Sequence, residues 1–234
     1  MEFGNRCVMV TGASGNLGRA VARVFAARGA ALVLVGSRAQ HLQRAFGDDD
    51  ARRMLAPVDL LDPGAVEAAV AAALARFGRI DVLCNLAGGF RMGTPAHQTA
   101  DADWRAMFDV NVRTLLHASA AVVPRMIAAG GGRIVNVGAF AAQKGAALMG
   151  AYVAAKSAVI RITETMAAEL RDKAINVNCV LPTIIDTAEN RAAMPGADPA
   201  RWVAPEDLAN VIAYLASDEA RAVHGAALPV TGLG

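Results

Sequence analysis

Cysteine is scarce. Cys7, Cys84 and Cys179 are scattered over 234 positions, too few and too far apart for a disulfide framework, and each falls in an apolar stretch where it is expected as a small buried residue. Charge of one sign is equally thin. Lys and Arg number 23 against 21 Asp and Glu, a formal net charge of +2 with no dense basic cluster, which argues against a nucleic-acid or membrane-surface partner. No charge-free run reaches the roughly 18 residues of a membrane-spanning helix. The opening Met-Glu-Phe-Gly-Asn-Arg carries no basic flank leading into an apolar signal stretch, so a cytoplasmic location is expected. His41, His97, His117 and His224 are dispersed without a ligand-like grouping, so no metal site is expected. No Ser/Gly linker, repeat or low-complexity tract divides the chain, and one domain over residues 1–234 is the economical reading.

What the chain does hold is apolar residues, 55% against 19% charged, arranged as short buried runs alternating with longer helical patterns. The runs Cys7 to Val10, Ala31 to Val35, Met54 to Val58, Val82 to Asn85, Arg133 to Val137, Ile175 to Val180 and Ala226 to Val230 read as seven strands. Helices are expected between them, one from Asp62-Pro63 to about Phe77, one from Asp101 to about Ala129 and one from Ala151 to about Asp172. The alternation predicts an α/β fold, a single doubly wound Rossmann-type domain around a parallel seven-stranded sheet. Pro182 to Trp202 is polar, carries three prolines and is too long for an ordinary connection, so it reads as a lid with a short helix inside.

Two constellations carry chemistry. Thr11-Gly12-Ala13-Ser14-Gly15-Asn16-Leu17-Gly18 lies between a predicted strand and a predicted helix, where glycines let the backbone approach a pyrophosphate and the helix N-terminus stabilises it. Tyr152 and Lys156 stand one helical turn apart and therefore on one helix face. Taken singly, the first reads equally as a tight turn and the second as a solvated face.

In order and separation, Thr11 to Gly18, Asp59-Leu60, Asp81 to Gly88, Asn111-Val112, Arg133-Ile134-Val135-Asn136, Tyr152 with Lys156, and Pro182 to Thr187 resemble the short-chain dehydrogenase/reductase family over essentially the whole length. The resemblance implies hydride exchange with a nicotinamide, Tyr152 as proton donor, Lys156 as the cation that tunes it, and Asn111 as support for proton resupply. A free tyrosine, with a pKa of about 10, needs such a neighbour to work near neutrality. The resemblance further implies Gly12, Ser14, Gly15, Asn16, Leu17 and Gly18 at the pyrophosphate. Asp59, Leu60, Asn85, Ala87 and Gly88 would line the adenosine side, and Pro182, Ile185 and Thr187 would close over the nicotinamide. A homodimer or homotetramer is expected, paired through the helix carrying the tyrosine, where Ala154, Ala155 and Ala158 permit close packing.

The pattern breaks at Ala139, thirteen positions before the tyrosine, where the family usually has serine. Losing one preorganised donor at an oxyanion costs ~10²-fold or more in rate. The dihydropteridine reductase branch also carries alanine there, and this sequence is similar to it at Ala87-Gly88-Gly89-Phe90, at Gly138-Ala139 and along the lid, at Leu181-Pro182, Asp186-Thr187, Asn190-Arg191, Met194-Pro195, Ala197-Asp198 and Trp202. The substrate therefore stands between a small carbonyl or enone and a quinonoid pterin, with a non-catalytic NADPH sensor as the reading from another class. The second strand ends in Gly36-Ser37-Arg38 with no carboxylate for a ribose 2′-hydroxyl, and Arg38 with Ser37 suits a 2′-phosphate. NADPH is the expected cofactor, with NADH as the alternative. Asn16 stands where most of the family has glycine. His97, Gln143, Met149 and Trp202 are placed near the pocket by the same resemblance, and Trp104 is expected to pack a helix start.

Overall fold

The computed structural model describes residues 1–233. Strands β1 (Cys7–Thr11), β2 (Ala31–Gly36), β3 (Arg53–Pro57), β4 (Val82–Asn85), β5 (Gly132–Val137), β6 (Ile175–Pro182) and β7 (Ala227–Val230) form one sheet in the order β3-β2-β1-β4-β5-β6-β7. Every neighbouring pair is parallel. Helices α1 (Asn16–Ala27), α2 (Ala39–Phe46), α3 (Pro63–Phe77), α4 (Asp101–Phe108), α5 (Thr114–Ala128), α6 (Gly150–Leu170), α7 (Ala188–Ala193) and α8 (Pro205–Leu215) complete the α/β Rossmann-type domain. None of them is long and apolar enough to cross a membrane.

The near-continuous apolar runs of the strands reflect burial on both faces. Val8 and Val10 turn one way, into a core with Phe25 of α1 and Leu208 and Ile212 of α8. Cys7 and Met9 turn the other way, among Val66 and Val70 of α3 and Val122 and Met126 of α5. A third cluster joins Met107, Leu115, Ala139, Val159 and Ile160, and Tyr152 packs against it. The strand order reverses between β1 and β4, and in doubly wound sheets the crevice beyond the strand ends at such a reversal is where ligands bind.

All seven strands stand within a residue or two of their predicted places, and β6 runs on to Pro182. Two differences have local causes. The helix expected from Asp101 to Ala129 is broken by one π-helical turn, Asp109–Arg113. Its cause is Asn111, whose Nδ2 donates to the Met107 carbonyl at 2.9 Å and so competes with the backbone for the oxygen an α-helix would use. Helix α2 escapes sequence reading because it spans only eight residues and Leu42 is its only buried one. The short helix expected in the lid is α7, capped by Thr187, whose Oγ1 accepts from Asn190 N at 3.1 Å, and a 3₁₀ turn follows at Pro199–Arg201.

Candidate functional site

The segments that leave β1 and β4 meet at the reversal. Thr11 Oγ1 accepts from the amides of Leu86 at 3.0 Å and Ala87 at 3.2 Å, so a side chain from one strand end pins the other. Gly12 turns between them at φ +65°, and a Cβ there would lie 2.9 Å from Ala87 N. At Gly18 a Cβ would lie 2.3 Å from the Gly12 carbonyl oxygen, so the first turn of α1 packs directly on the loop. No side chain caps α1, whose N-cap is Gly15, leaving its leading N–H groups free for an anion. The residues present therefore fit the pyrophosphate of a dinucleotide.

Lys156 is buried, 6% exposed, and its Nζ donates to the Val137 carbonyl at 2.8 Å. Burial pulls its ammonium down to about 8, opposed by the nearby Cys179 thiol. Tyr152, one turn earlier on α6, is half-buried, and burial pushes its phenol up to about 12. Gly88 lies against both partners of the constellation: a Cβ there would stand 2.9 Å from Asn111 Oδ1 and 3.3 Å from Lys156 Nζ. Asn111 is fully committed to the backbone. Its Oδ1 accepts from Gly89 N at 3.1 Å, and its Nδ2 donates to Gly89 O at 3.0 Å as well as to Met107 O.

Ala139 is buried and opens the 3₁₀ turn Phe140–Gln143. Gln143 is exposed, with Nε2 at 3.4 Å from the Phe140 carbonyl. Asn85 donates to Asn136 Oδ1 at 3.0 Å, and Asn136 to Thr163 Oγ1 at 2.9 Å, a buried polar line between β4, β5 and α6. Ser37 and Arg38 are exposed at the end of β2, and Arg38 makes no ion pair among the described residues. Asp59 is exposed with Oδ1 accepting from Leu61 N at 2.9 Å, while Leu60 is buried and its carbonyl meets His117 Nδ1 at 2.8 Å.

The lid reaches the phosphate-facing loop. A cavity of about 380 Å³ is lined by Asn16 and Arg19 on α1, Arg44 on α2 and Asp186 and Thr187 on the lid. Asn16 Nδ2 donates to Glu189 Oε2 at 2.8 Å. Ile185 bridges to Val203, and its carbonyl accepts from Asn190 Nδ2 at 2.8 Å. Trp104 packs α4 against the start of α6, near Gly150, as expected, and His97 is exposed.

Residues 6–197 match the family model described as short chain dehydrogenase. The chain belongs to the short-chain dehydrogenase/reductase family. It is thereby an NAD(P)-dependent oxidoreductase of that family. The chain is 36% identical over 240 residues to cis-4-hydroxycyclohexanecarboxylate dehydrogenase of Sinomonas cyclohexanicum, covering 98% of this chain and 96% of that protein. It superposes on a gluconate 5-dehydrogenase of Burkholderia cenocepacia in complex with NADP and tartrate with a TM-score of 0.90 and 30% identity, covering 99% of this chain and 95% of that one. A carveol dehydrogenase of Mycobacterium avium in complex with NAD gives a TM-score of 0.86 at 28% identity, over 96% of this chain and 95% of that one. Short-chain dehydrogenases of similar fold thus hold either nicotinamide dinucleotide.

Three features of the site were not read from sequence: the Asn111 grip on Gly89, the Asn16–Glu189 contact, and Phe90. The Phe90 ring lies 4.8 Å from the Tyr152 ring, edge to face at 86°. The first two depend on contacts between distant segments, which no local pattern announces.

Proposed function

We propose that the chain is an NADP(H)-dependent reductase that moves hydride between the nicotinamide and a small carbonyl, enone or similar acceptor. The observation that carries the reading is the disposition of Tyr152 and Lys156 on one face of α6, with Lys156 anchored on Val137 and Gly88 against it. Tyr152 is the proton donor in the direction of reduction, and its phenol, which burial raises to about 12, needs a nearby cation to work near neutrality. Lys156, one turn along α6, is the cation that would stabilise the phenolate and hold the ribose hydroxyls of the cofactor. Asn111 acts through the backbone it grips, holding Gly89 and the π turn in register with α6.

Gly12, Ser14, Gly15, Asn16, Leu17 and Gly18 would hold the pyrophosphate. Asp59, Leu60, Asn85, Ala87 and Gly88 would line the adenosine side, Lys156 and Tyr152 the ribose next to the nicotinamide, and Pro182, Ile185 and Thr187 the nicotinamide itself. Ser37 and Arg38 would hold the 2′-phosphate, which makes NADPH the preferred form over NADH: Arg38 is exposed and free of ion pairs among the described residues, and the end of β2 offers no carboxylate. When bound, the nicotinamide supplies the hydride.

Ala139 favours a second reading, reduction of a quinonoid pterin in the manner of the dihydropteridine reductases. A conjugated, electron-poor acceptor depends less on a second donor to its oxygen, and Ala139 supplies none. A homodimer or homotetramer paired along α6 and a cytoplasmic location complete the proposal. NADPH oxidation followed over ketones, enones, quinones and quinonoid dihydropterin tests it. Turnover of a carbonyl or enone supports the first reading and turnover of the pterin alone the second. Tight NADPH binding with no turnover across the panel overturns both in favour of a sensor.

A further inference from the structure

Twelve large apolar side chains are exposed among the described residues, and four of them, Phe90, Met92, Phe140 and Leu148, lie on the two segments that bracket Tyr152. Those segments are tied together by Gly93 N donating to the Leu148 carbonyl at 2.9 Å. Isolated exposed apolar residues need no explanation, but a group gathered at one mouth marks a binding surface. Phe90 is the centre of it. Its ring is 55% exposed while one part packs edge to face on Tyr152, 4.8 Å between centroids.

An exposed aromatic ring ordinarily has a mobile base. Here the preceding residue is clamped: both the amide and the carbonyl of Gly89 are bonded to the Asn111 side chain, and a Cβ on Gly89 would meet Val110 at 3.1 Å. The order imposed by the π turn thus passes through Gly89 to Phe90 and on to the ring of Tyr152. A rigid apolar face costs little to order when a ligand lands on it.

The site also has an orientation problem that this face solves. Ala139 offers no hydroxyl, and Asn111 has its amide fully used, so the Tyr152 hydroxyl is left to hold the reacting oxygen alone. One hydrogen bond does not fix how a carbonyl plane is turned, and shape must supply the rest.

Resting on the reductase reading above, we infer that Phe90 is the specificity-determining residue of this site and that it selects a cyclic, apolar or conjugated acceptor, whose ring lies on the exposed face of Phe90. Acyclic ketones of the same carbon count lack the flat face and are poor substrates. Phe90 touches substrate and the Tyr152 ring, and takes no part in proton transfer.

The test compares 2-cyclohexen-1-one and cyclohexanone with 2-hexanone as NADPH-dependent substrates of the parent, Phe90→Ala and Phe90→Trp proteins. The parent is expected to favour the rings in kcat/KM. Phe90→Ala should lose about tenfold of that preference through KM, and Phe90→Trp should keep it. A ring preference unchanged in Phe90→Ala, or an equal loss on rings and chain, overturns the inference. A second readout needs neither cofactor nor turnover. In Tyr214→Phe protein Tyr152 is the single tyrosine, so its labelled ring resonances report the site alone. Added 2-cyclohexen-1-one should move them in the Phe90 protein and not in Phe90→Ala. If that shift is seen while no substrate is turned over, the hydride-transfer reading fails and the apolar wall stands. If the ring resonances ignore the enone in both proteins, the wall itself is refuted.

Discussion

Asn16 and Glu189, 173 residues apart in the chain, meet at 2.8 Å, the amide of the phosphate-facing loop donating to a carboxylate on the lid. Asn16 Oδ1 in turn accepts from Arg19 Nη2 at 2.5 Å, so the amide is held from both sides. The contact uses a side chain that glycine, usual in the family at this position, would not provide. Its neighbours keep Glu189 ionised, its carboxyl held below the usual range by backbone and Asn16 hydrogen bonds. A bond of this kind at a fully exposed site is screened by water and holds the lid only weakly. Glu189→Ala should therefore loosen α7 and speed tryptic cleavage after Arg191 several-fold in the cofactor-free protein, with global stability unchanged. Cleavage at the parent rate would mean that the lid is held by other contacts.

Lys156 makes stability depend on pH in a defined direction. Its folded pKa of about 8 lies below the ordinary 10.5, so between those values the unfolded chain carries the proton and the native one does not, and stability rises with pH there. Tyr152 acts oppositely: with its pKa raised from 10 to about 12, stability falls across that interval. Above pH 9 the buried thiols Cys7, Cys84 and Cys179, whose pKa values burial raises, lower stability as well, so the Lys156 contribution is read as a difference: relative to Lys156→Met, the parent should gain roughly 2 kcal/mol from pH 8 to 10, an upper figure set by ~1.4 kcal/mol per pKa unit. Urea denaturation of parent and Lys156→Met proteins checks this, and a rise that persists in Lys156→Met would assign it elsewhere.

Asn111 satisfies two carbonyls and one amide from a buried position. Asn111→Ala leaves those groups without partners and removes the competitor that forces the π turn. A loss of about 2–4 kcal/mol in urea denaturation is expected, together with reduced turnover, because Gly89 is no longer clamped. Stability within about 0.5 kcal/mol of the parent would show that water replaces the side chain at no cost.

Arg38 gives the cofactor prediction. Arg38→Asp replaces a cation suited to a 2′-phosphate with a carboxylate suited to a 2′-hydroxyl, and the NADPH-to-NADH ratio of kcat/KM should fall at least about tenfold. An unchanged ratio would remove the cofactor assignment without touching the fold.

The inner strands were legible because a sheet buried on both faces writes itself as near-continuous apolar runs, as in Cys7–Thr11, Val82–Asn85 and Ile175–Pro182. The loop at Gly12 and the Tyr152–Lys156 pair were legible because their spacing is local. Helix α2 was not, with a single buried residue to betray it. The π turn was hidden as well, since one asparagine bonding its own helix leaves the apolar period of α4 and α5 intact. Phe90, Glu189 and the true direction of the Lys156 ammonium all depend on which distant backbone they meet, and spacing within the chain carries no record of it.

If Tyr152 delivers the proton, its hydroxyl is needed for turnover and adds little to cofactor binding, which the rest of the site carries. Tyr152→Phe keeps the ring, its packing on Phe90 and the helix, and removes one hydroxyl. NADPH binding measured by fluorescence titration, alongside turnover on the best acceptor found, is the most direct test. The account predicts affinity within about twofold of the parent and a turnover lower by about 10² or more. Turnover at the parent rate would contradict it and move the proton donor elsewhere.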